Sequence, residues 1–224
     1  MIKAILFDMD GVLVDSKKAI LEFRKKFFEH AGYSDVAPEF FEDFHSPHRI
    51  LAVKFLKSKN IDDEMEINRL VDIMQDDTLR KSTMLHLFNF DEKLEEILKG
   101  LKENFLLGVV TSRGTHGIKE IFKLRPIEKY FDVIVGFDDV NNHKPHPEPL
   151  EKAIKKLDVK PNEAVYIGDS DTDILAADSI GMPSIHLSDT KHDLAHHQIM
   201  SFPEIPNVIK LIEKDYADSN SKKR

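Results

Sequence analysis

Five short apolar runs constrain this chain more than any other feature: "AILF" (4–7), "LLGVVT" (106–111), "VIVGF" (133–137), "AVYIG" (164–168) and "PSIHL" (183–187). They are rich in β-branched or aromatic residues and continuous rather than alternating, as strands covered on both faces must be. Segments of helical spacing lie between the last four. Ile118, Ile121 and Phe122 form an i, i+3, i+4 set, and Leu150, Ile154 and Leu157 an i, i+4, i+7 set; Ile174, Ala177 and Ile180 precede Gly181, a helix stop. Before the second run, Leu94, Ile97, Leu98 and Leu101 mark an amphipathic helix with Asp91 as candidate cap. Such alternation implies right-handed crossovers and an α/β fold, a doubly wound parallel five-stranded core.

The exception is the stretch between the first two runs, about 75 residues with no strand pattern, too long for a crossover. Helical patterns at 17–31, 47–59 and 63–80 make it an inserted α-helical domain. The expected division is 1–14 and 87–217 for the core, 15–86 for the helical cap and 218–224 for a disordered tail, with hinges near 14–16 and 83–90. The insert is Phe-rich (Phe23, Phe27, Phe28, Phe40, Phe41, Phe44, Phe55), which fits its own core or an apolar lid facing a substrate.

A chain of 224 residues can bury an enclosed site. Its 40 acidic and 32 basic residues leave no long basic face, so nucleic acid is not an expected partner. The absence of cysteine removes disulfides, thiolate metal sites and a thiolate nucleophile. No run approaches the roughly 20 apolar residues of a membrane span, and the opening "MIKAILFD" lacks a targeting pattern, so a cytoplasmic protein without membrane partners is expected. A monomer is the default expectation.

In open parallel sheets, ligands bind beyond the carboxyl ends of the strands, where loops converge and helix amides point inward. Asp8 and Asp10 follow the first run, Thr111 and Ser112 end the second, Lys144 follows the third, and Asp169 and Asp173 follow the fourth. Taken singly, each has a plain explanation as turn, strand-end or first-turn chemistry. Their conjunction at four successive strand ends singles them out.

"DMDGVLVDS", "VVTSRG", "HKPHPEPL" and "GDSDTDILAAD" resemble the four ordered motifs of the haloacid dehalogenase-like hydrolase superfamily. The resemblance is to its phosphatases with a helical cap after the first motif, the branch of phosphoglycolate phosphatase and β-phosphoglucomutase, and it spans Ile2 to about Leu187. It implies a Rossmann-like catalytic core, a small phosphorylated metabolite as substrate, and attack by Asp8 to give an aspartyl phosphate. Asp10 would serve as general acid and base, with its backbone carbonyl on a metal.

The residues are suited to that chemistry. A spacing of two along extended chain turns Asp8 and Asp10 to one side. Carboxylates gathered there repel an anionic substrate, by about 4 kcal/mol per unit pair at 4 Å and an effective dielectric near 20, so a cation must intervene. The available ligands are hard oxygens, which select Mg²⁺ over zinc or copper. The metal set is Asp8, Asp10 and Asp169, with Asp173 on the metal's water shell or on Lys144. Thr111, the Ser112 amide and Lys144 would hold the nonreacting phosphoryl oxygens.

In "FHSPHRI" (44–50), His45, His48 and Arg49 are candidates to meet the organic part of a phosphate ester, or members of a solvated loop leading into a helix. His192, His196 and His197 have helix-compatible spacing that suggests either a second metal or a solvated helix, the latter being expected. Two rival functions stand beside the phosphatase: a sugar phosphomutase with the same core chemistry, and a noncatalytic phospho-receiver or binding module. The large insert and Asp10 argue against the receiver, and Asp10 also argues against a dehalogenase.

Overall fold

The computed structural model describes residues 1–42, 48–76, 78–80 and 84–221. The chain divides into two compact units, Met1–Val14 with Phe90–Arg224, and Asp15–Asn89.

The first unit is built on a wholly parallel sheet of β1 (Ala4–Phe7), β2 (Leu106–Val110), β3 (Val133–Val135), β4 (Ala164–Gly168), β5 (Ser184–Leu187) and β6 (His197–Ile199). The spatial order is β3-β2-β1-β4-β5-β6. Chain order reverses beside β1, which pairs with β2 on one side and β4 on the other. That reversal opens a crevice at the carboxyl ends of β1 and β4, where open α/β sheets take ligands.

Side chains of β1 alternate between two layers. Ala4 and Leu6 face a core with Tyr166, Leu150, Ala153 and Ala177. Phe7 faces the other way, with ring centroids 6.2 Å from both Phe131 and Phe202. β1 is therefore buried on both sides, the physical cause of its continuous apolar run.

The sheet has six strands where the sequence predicts five. The segment 192–197 is not a helix: His196 lies in a bend and His197 opens β6, paired in register with Ile185. Only Ile199 of β6 is fully buried, so the strand lacks an apolar run, yet its backbone covers the otherwise open edge of β5.

In the second unit, α1 (Lys17–His30), α2 (Pro38–Glu42), α3 (His48–Ser58) and α4 (Glu64–Met74) gather around Phe23, Phe27, Phe28, Leu51, Phe55 and Leu70. Phe28 lies 4.6 Å from both Phe27 and Phe55 between ring centroids, so these phenylalanines form the unit's own core. Asp63 caps α4 by accepting from the Met65 amide at 2.9 Å. The unit begins and ends in an antiparallel bridge, with Asp15 N donating to Asn89 O at 2.8 Å and Asn89 N to Asp15 O at 3.1 Å.

Back in the first unit, α5 (Leu94–Lys102), α6 (Thr115–Leu124), α7 (Glu148–Leu157), α8 (Asp171–Asp178) and α9 (Ile205–Ser221) cover the sheet. Lys93, not Asp91, occupies the position just before α5 and makes no side-chain bond to the helix end; the Asp91 carboxylate instead accepts from the Lys93 amide at 2.8 Å and shapes the turn ahead of the helix. Residues 218–221 continue α9, where the polar sequence predicts disorder; extending a formed helix needs no new nucleus. Among the described residues, no helix is long and apolar enough to cross a membrane.

Candidate active site

Asp8 is the first residue past β1, and its amide donates to Ile167 O of β4 at 2.8 Å. By the two-residue strand period its side chain continues the Ala4 and Leu6 face, the face of Tyr166. Lys144 meets it there. Lys144 Nζ donates to Asp8 Oδ1 at 3.0 Å, to Asp173 Oδ1 at 2.6 Å and to the Tyr166 hydroxyl at 3.0 Å. Val110 O lies farther off, at 3.5 Å, so the three shorter contacts take up the three N–H groups of the ammonium, and the Lys144 side chain is only 4% exposed.

The loop carrying Lys144 is fixed from both flanks. Glu148, in the first turn of α7, accepts from the amides of Asn141 and Asn142, each at 2.9 Å. The His143 ring stacks on Phe137 with centroids 3.7 Å apart. On the other side of the cluster, Asp173 sits in the first turn of α8. Its Oδ2 accepts from Ser170 Oγ at 2.6 Å and from the Ser170 amide at 3.2 Å, while its Oδ1 lies 2.9 Å from the Tyr166 hydroxyl. The Tyr166 hydroxyl is also 2.9 Å from Val110 O.

Two glycines make the close approach possible. Gly11 has φ +79°, and a Cβ there would lie 1.9 Å from Asp169 Oδ2. A Cβ on Gly168 would lie 2.3 Å from that of Asp173. The acids after β4 are thus seated against bare backbone.

Asp8, Asp169 and Asp173 each offer a carboxylate oxygen within 4.8 Å of the others, a geometry able to hold a cation. Their electrostatics point the same way. Burial pushes the Asp8 carboxyl well above its ordinary range; Lys144 opposes this, and the carboxylates of Asp173, Asp169 and Asp10 push it higher. Burial would raise Asp173 too, but the Lys144 ammonium, with hydrogen bonds from Lys144, Ser170 and Tyr166, holds it below its ordinary value. Burial works against the charge on Lys144, yet Asp173 and Asp8 keep its pKa above that of a free lysine. Three carboxylates drawn this close together form a hard-oxygen donor set of the kind a divalent ion takes.

Asp10 has a cationic partner of its own. Its carboxylate takes a two-pronged ion pair from Arg113, with Arg113 Nε donating to Oδ2 at 2.9 Å and an Nη to Oδ1. At the end of β2, Thr111 is buried; its amide donates to Val135 O at 3.0 Å, and its Oγ1 accepts from the Arg113 amide at 3.1 Å. Ser112 beside it is exposed. In the helical insert, Arg49 donates to Asn68 at 2.8 Å and to Glu64, so its guanidinium is engaged by α4. His48 is half-buried at the start of α3, and His45 lies outside the described residues.

The structure therefore gathers Asp8, Lys144, Asp169 and Asp173 into one cluster, joins Tyr166 and Ser170 to it, and sets Arg113 against Asp10; Tyr166 and Arg113 are not singled out by sequence reasoning. Arg113 sits inside a quoted motif, and only its partner reveals it. Tyr166 sits in an apolar strand as a polar residue that must find a hydrogen-bond partner, a signal legible in principle.

Residues 5–187 match the family model described as haloacid dehalogenase-like hydrolase. The chain is 34% identical over 186 residues to a Caldanaerobacter subterraneus protein assigned the name pyrophosphatase PpaX, covering 82% of this chain and 80% of the relative. It is 32% identical over 181 residues to pyrophosphatase PpaX of Bacillus pumilus, covering 80% of each. Among solved structures, a HAD-superfamily hydrolase of subfamily IA, variant 1, from Geobacter sulfurreducens shares 28% identity at a TM-score of 0.71, over 92% of this chain and 96% of that one. The motif residues that meet at the ends of β1 and β4 thus lie within a match spanning most of the sequence, and the chain belongs to the haloacid dehalogenase-like hydrolase family, among its phosphatase-type hydrolases.

Proposed function

We propose that the protein is a Mg²⁺-dependent phosphatase of a small phosphorylated metabolite, working through an aspartyl phosphate on Asp8 with Asp10 as general acid and base. The observation that carries this reading is the buried Lys144 bridging Asp8 and Asp173 beside Asp169.

Fit to a metal is supported by the donor set, which is carboxylate oxygen throughout, and by Gly11, whose missing side chain leaves room for Asp169. Asp8, Asp169 and the Asp10 backbone carbonyl would hold the ion, with Asp173 on its water or on Lys144. Bound there, Mg²⁺ supplies the positive charge that lets a phosphate approach three carboxylates.

The chain's own groups then divide the work. Lys144 fixes the Asp8 carboxylate through Oδ1. An Asp8 oxygen bonds to phosphorus as the bond to the leaving oxygen breaks, and Asp10 gives that oxygen its proton. Water next attacks the same phosphorus, Asp10 takes its proton, the acyl phosphate bond opens, and inorganic phosphate departs. Thr111, the Ser112 amide and Lys144 hold the nonreacting oxygens. The pyrophosphatase names of the relatives support testing inorganic pyrophosphate first as substrate, ahead of 2-phosphoglycolate and sugar phosphates.

The test is phosphate release from 4-nitrophenyl phosphate and this substrate panel, with Mg²⁺ and with chelator. Activity is expected only with the metal, and none for Asp8→Asn folded as judged by circular dichroism. Near-normal turnover by that variant would overturn the reading. Isomerised sugar phosphate without released phosphate would favour the mutase.

A further inference from the structure

Arg113 is seated by more than its carboxylate partner. Its backbone is fixed on both sides: the amide donates to Thr111 Oγ1 at 3.1 Å and the carbonyl accepts from Phe137 N at 3.0 Å. Its side chain crosses the first turn of α6 over Gly117, where a Cβ would lie 2.9 Å from Arg113 Cγ, 3.1 Å from Cδ and 3.3 Å from Nη1. A Cβ on Gly136 would in turn lie 2.9 Å from the Arg113 carbonyl oxygen. The shaft thus runs through a channel that the absent Gly117 side chain leaves open, the absent Gly136 side chain leaves room for the Arg113 backbone, and the guanidinium delivers Nε and one Nη to the two oxygens of Asp10. At 11% and 30% exposure, the pair is largely withdrawn from water, so neither side chain is an ordinary surface ion.

We propose that Arg113, held by the Gly117 channel, is the positioning residue for the Asp10 carboxylate and so sets the efficiency of proton transfer to the leaving group. The proposal rests on the assignment of Asp10 as general acid and base. A two-pronged guanidinium fixes both the distance and the plane of a carboxylate, which a single point charge does not. A carboxyl that must first meet a leaving oxygen and later a water gains from a fixed plane, because proton transfer requires hydrogen-bond reach at each step. The pairing links two loops 103 positions apart in sequence, so the second motif orients the acid of the first.

The test is a leaving-group comparison. The kcat/KM values for an alkyl phosphate and for 4-nitrophenyl phosphate are measured for wild type, Arg113→Met, Arg113→Lys, Gly117→Ala and Asp10→Asn. An alkyl alkoxide needs a proton to leave, whereas 4-nitrophenolate hardly does. General acid catalysis contributes about 10²–10⁴-fold, so Arg113→Met should lower kcat/KM for the alkyl ester by about 10–100-fold and for the aryl ester by less than about 5-fold.

Arg113→Lys, keeping the charge without the fork, should recover part of the alkyl activity. Gly117→Ala should copy Arg113→Met, although alanine favours the helix, because its methyl displaces the arginine shaft. This variant keeps the test decisive if Arg113→Met fails to fold. An equal loss for both esters, no loss, a gain, or a rise in KM alone would overturn the proposal; the last would make Arg113 a substrate ligand. Full alkyl-ester activity in Asp10→Asn would instead overturn the assignment of Asp10. Loss in Asp10→Asn with wild-type behaviour in the Arg113 and Gly117 variants would remove the positioning role alone.

Discussion

Gly11 and Asp169 stand closer than any side chain on the glycine would permit: a Cβ built on Gly11 falls 1.9 Å from Asp169 Oδ2. The glycine also holds φ +79°, a left-handed conformation that costs a residue with a side chain about 1–2 kcal/mol. Gly11→Ala should therefore displace Asp169 while leaving the sheet paired. The expected result is at least about a tenfold fall in kcat/KM, which corresponds to about 1.4 kcal/mol of lost transition-state stabilisation. A raised half-saturating Mg²⁺ concentration in the same titration, with an unchanged circular dichroism spectrum, locates the damage at Asp169.

Lys144 Nζ bonds both Asp8 and Asp173, and its side chain is almost wholly buried. Removing one partner of a buried charge cluster costs about 3–5 kcal/mol, because the charges left behind stay buried. Lys144→Met is expected to lose about that much stability in urea unfolding without metal. Lys144→Met combined with Asp173→Asn should recover part of it, giving a coupling energy in a double-mutant cycle. Additive losses would show that the two do not share the interaction.

The Tyr166 hydroxyl lies 3.0 Å from Lys144 Nζ, 2.9 Å from Val110 O and 2.9 Å from Asp173 Oδ1. Tyr166→Phe deletes one acceptor of Lys144 and keeps the ring in the core. It should cost about 1–2 kcal/mol of stability, and turnover should fall as Lys144 gains freedom. Thermal denaturation and phosphate release measure the two effects on the same sample.

In the helical unit, Glu66 accepts from Arg69 Nε and Nη2, each at 2.7 Å, and from the Tyr33 hydroxyl at 2.7 Å. The Arg69 hydrogen bond, with Tyr33 aiding and burial opposing, lowers its pKa from 4.5 to about 2. A depressed folded-state pKa contributes stability that is present above the unfolded value and lost as pH falls through the folded one. The urea midpoint of wild type should thus exceed that of Glu66→Gln at neutral pH, and the two should converge between about pH 4.5 and about pH 2. A constant difference over that window would count against the ion pair as its source.

Sheet and site were legible to different depths, for physical reasons. β1, β2 and β4 read clearly because burial on both faces leaves no polar residue to break the run, except Tyr166, whose hydroxyl is satisfied by Lys144 and Val110. β6 did not read, since one buried residue, Ile199, gives no pattern. Asp8, Lys144 and Asp169, which the structure brings together, stand out in the sequence because strand ends are where loops converge, a property of position. Arg113 was not, because its role depends on a partner 103 residues away and on a glycine that is ordinary except for what crosses it.

The bridge between Asp15 and Asn89 closes the helical unit at its neck. For β1 and β2 the excursion of Asp15–Asn89 is therefore a detour that returns to where it began. Lengthening such a loop is cheap, about 0.6 kcal/mol for a doubling, so insertions, deletions or wholesale replacement within it leave the strand register that places Asp8 and Asp169 untouched. Catalytic core and insert can thus diverge at separate rates within one gene, the core held by pairing geometry and the insert by its own phenylalanine core.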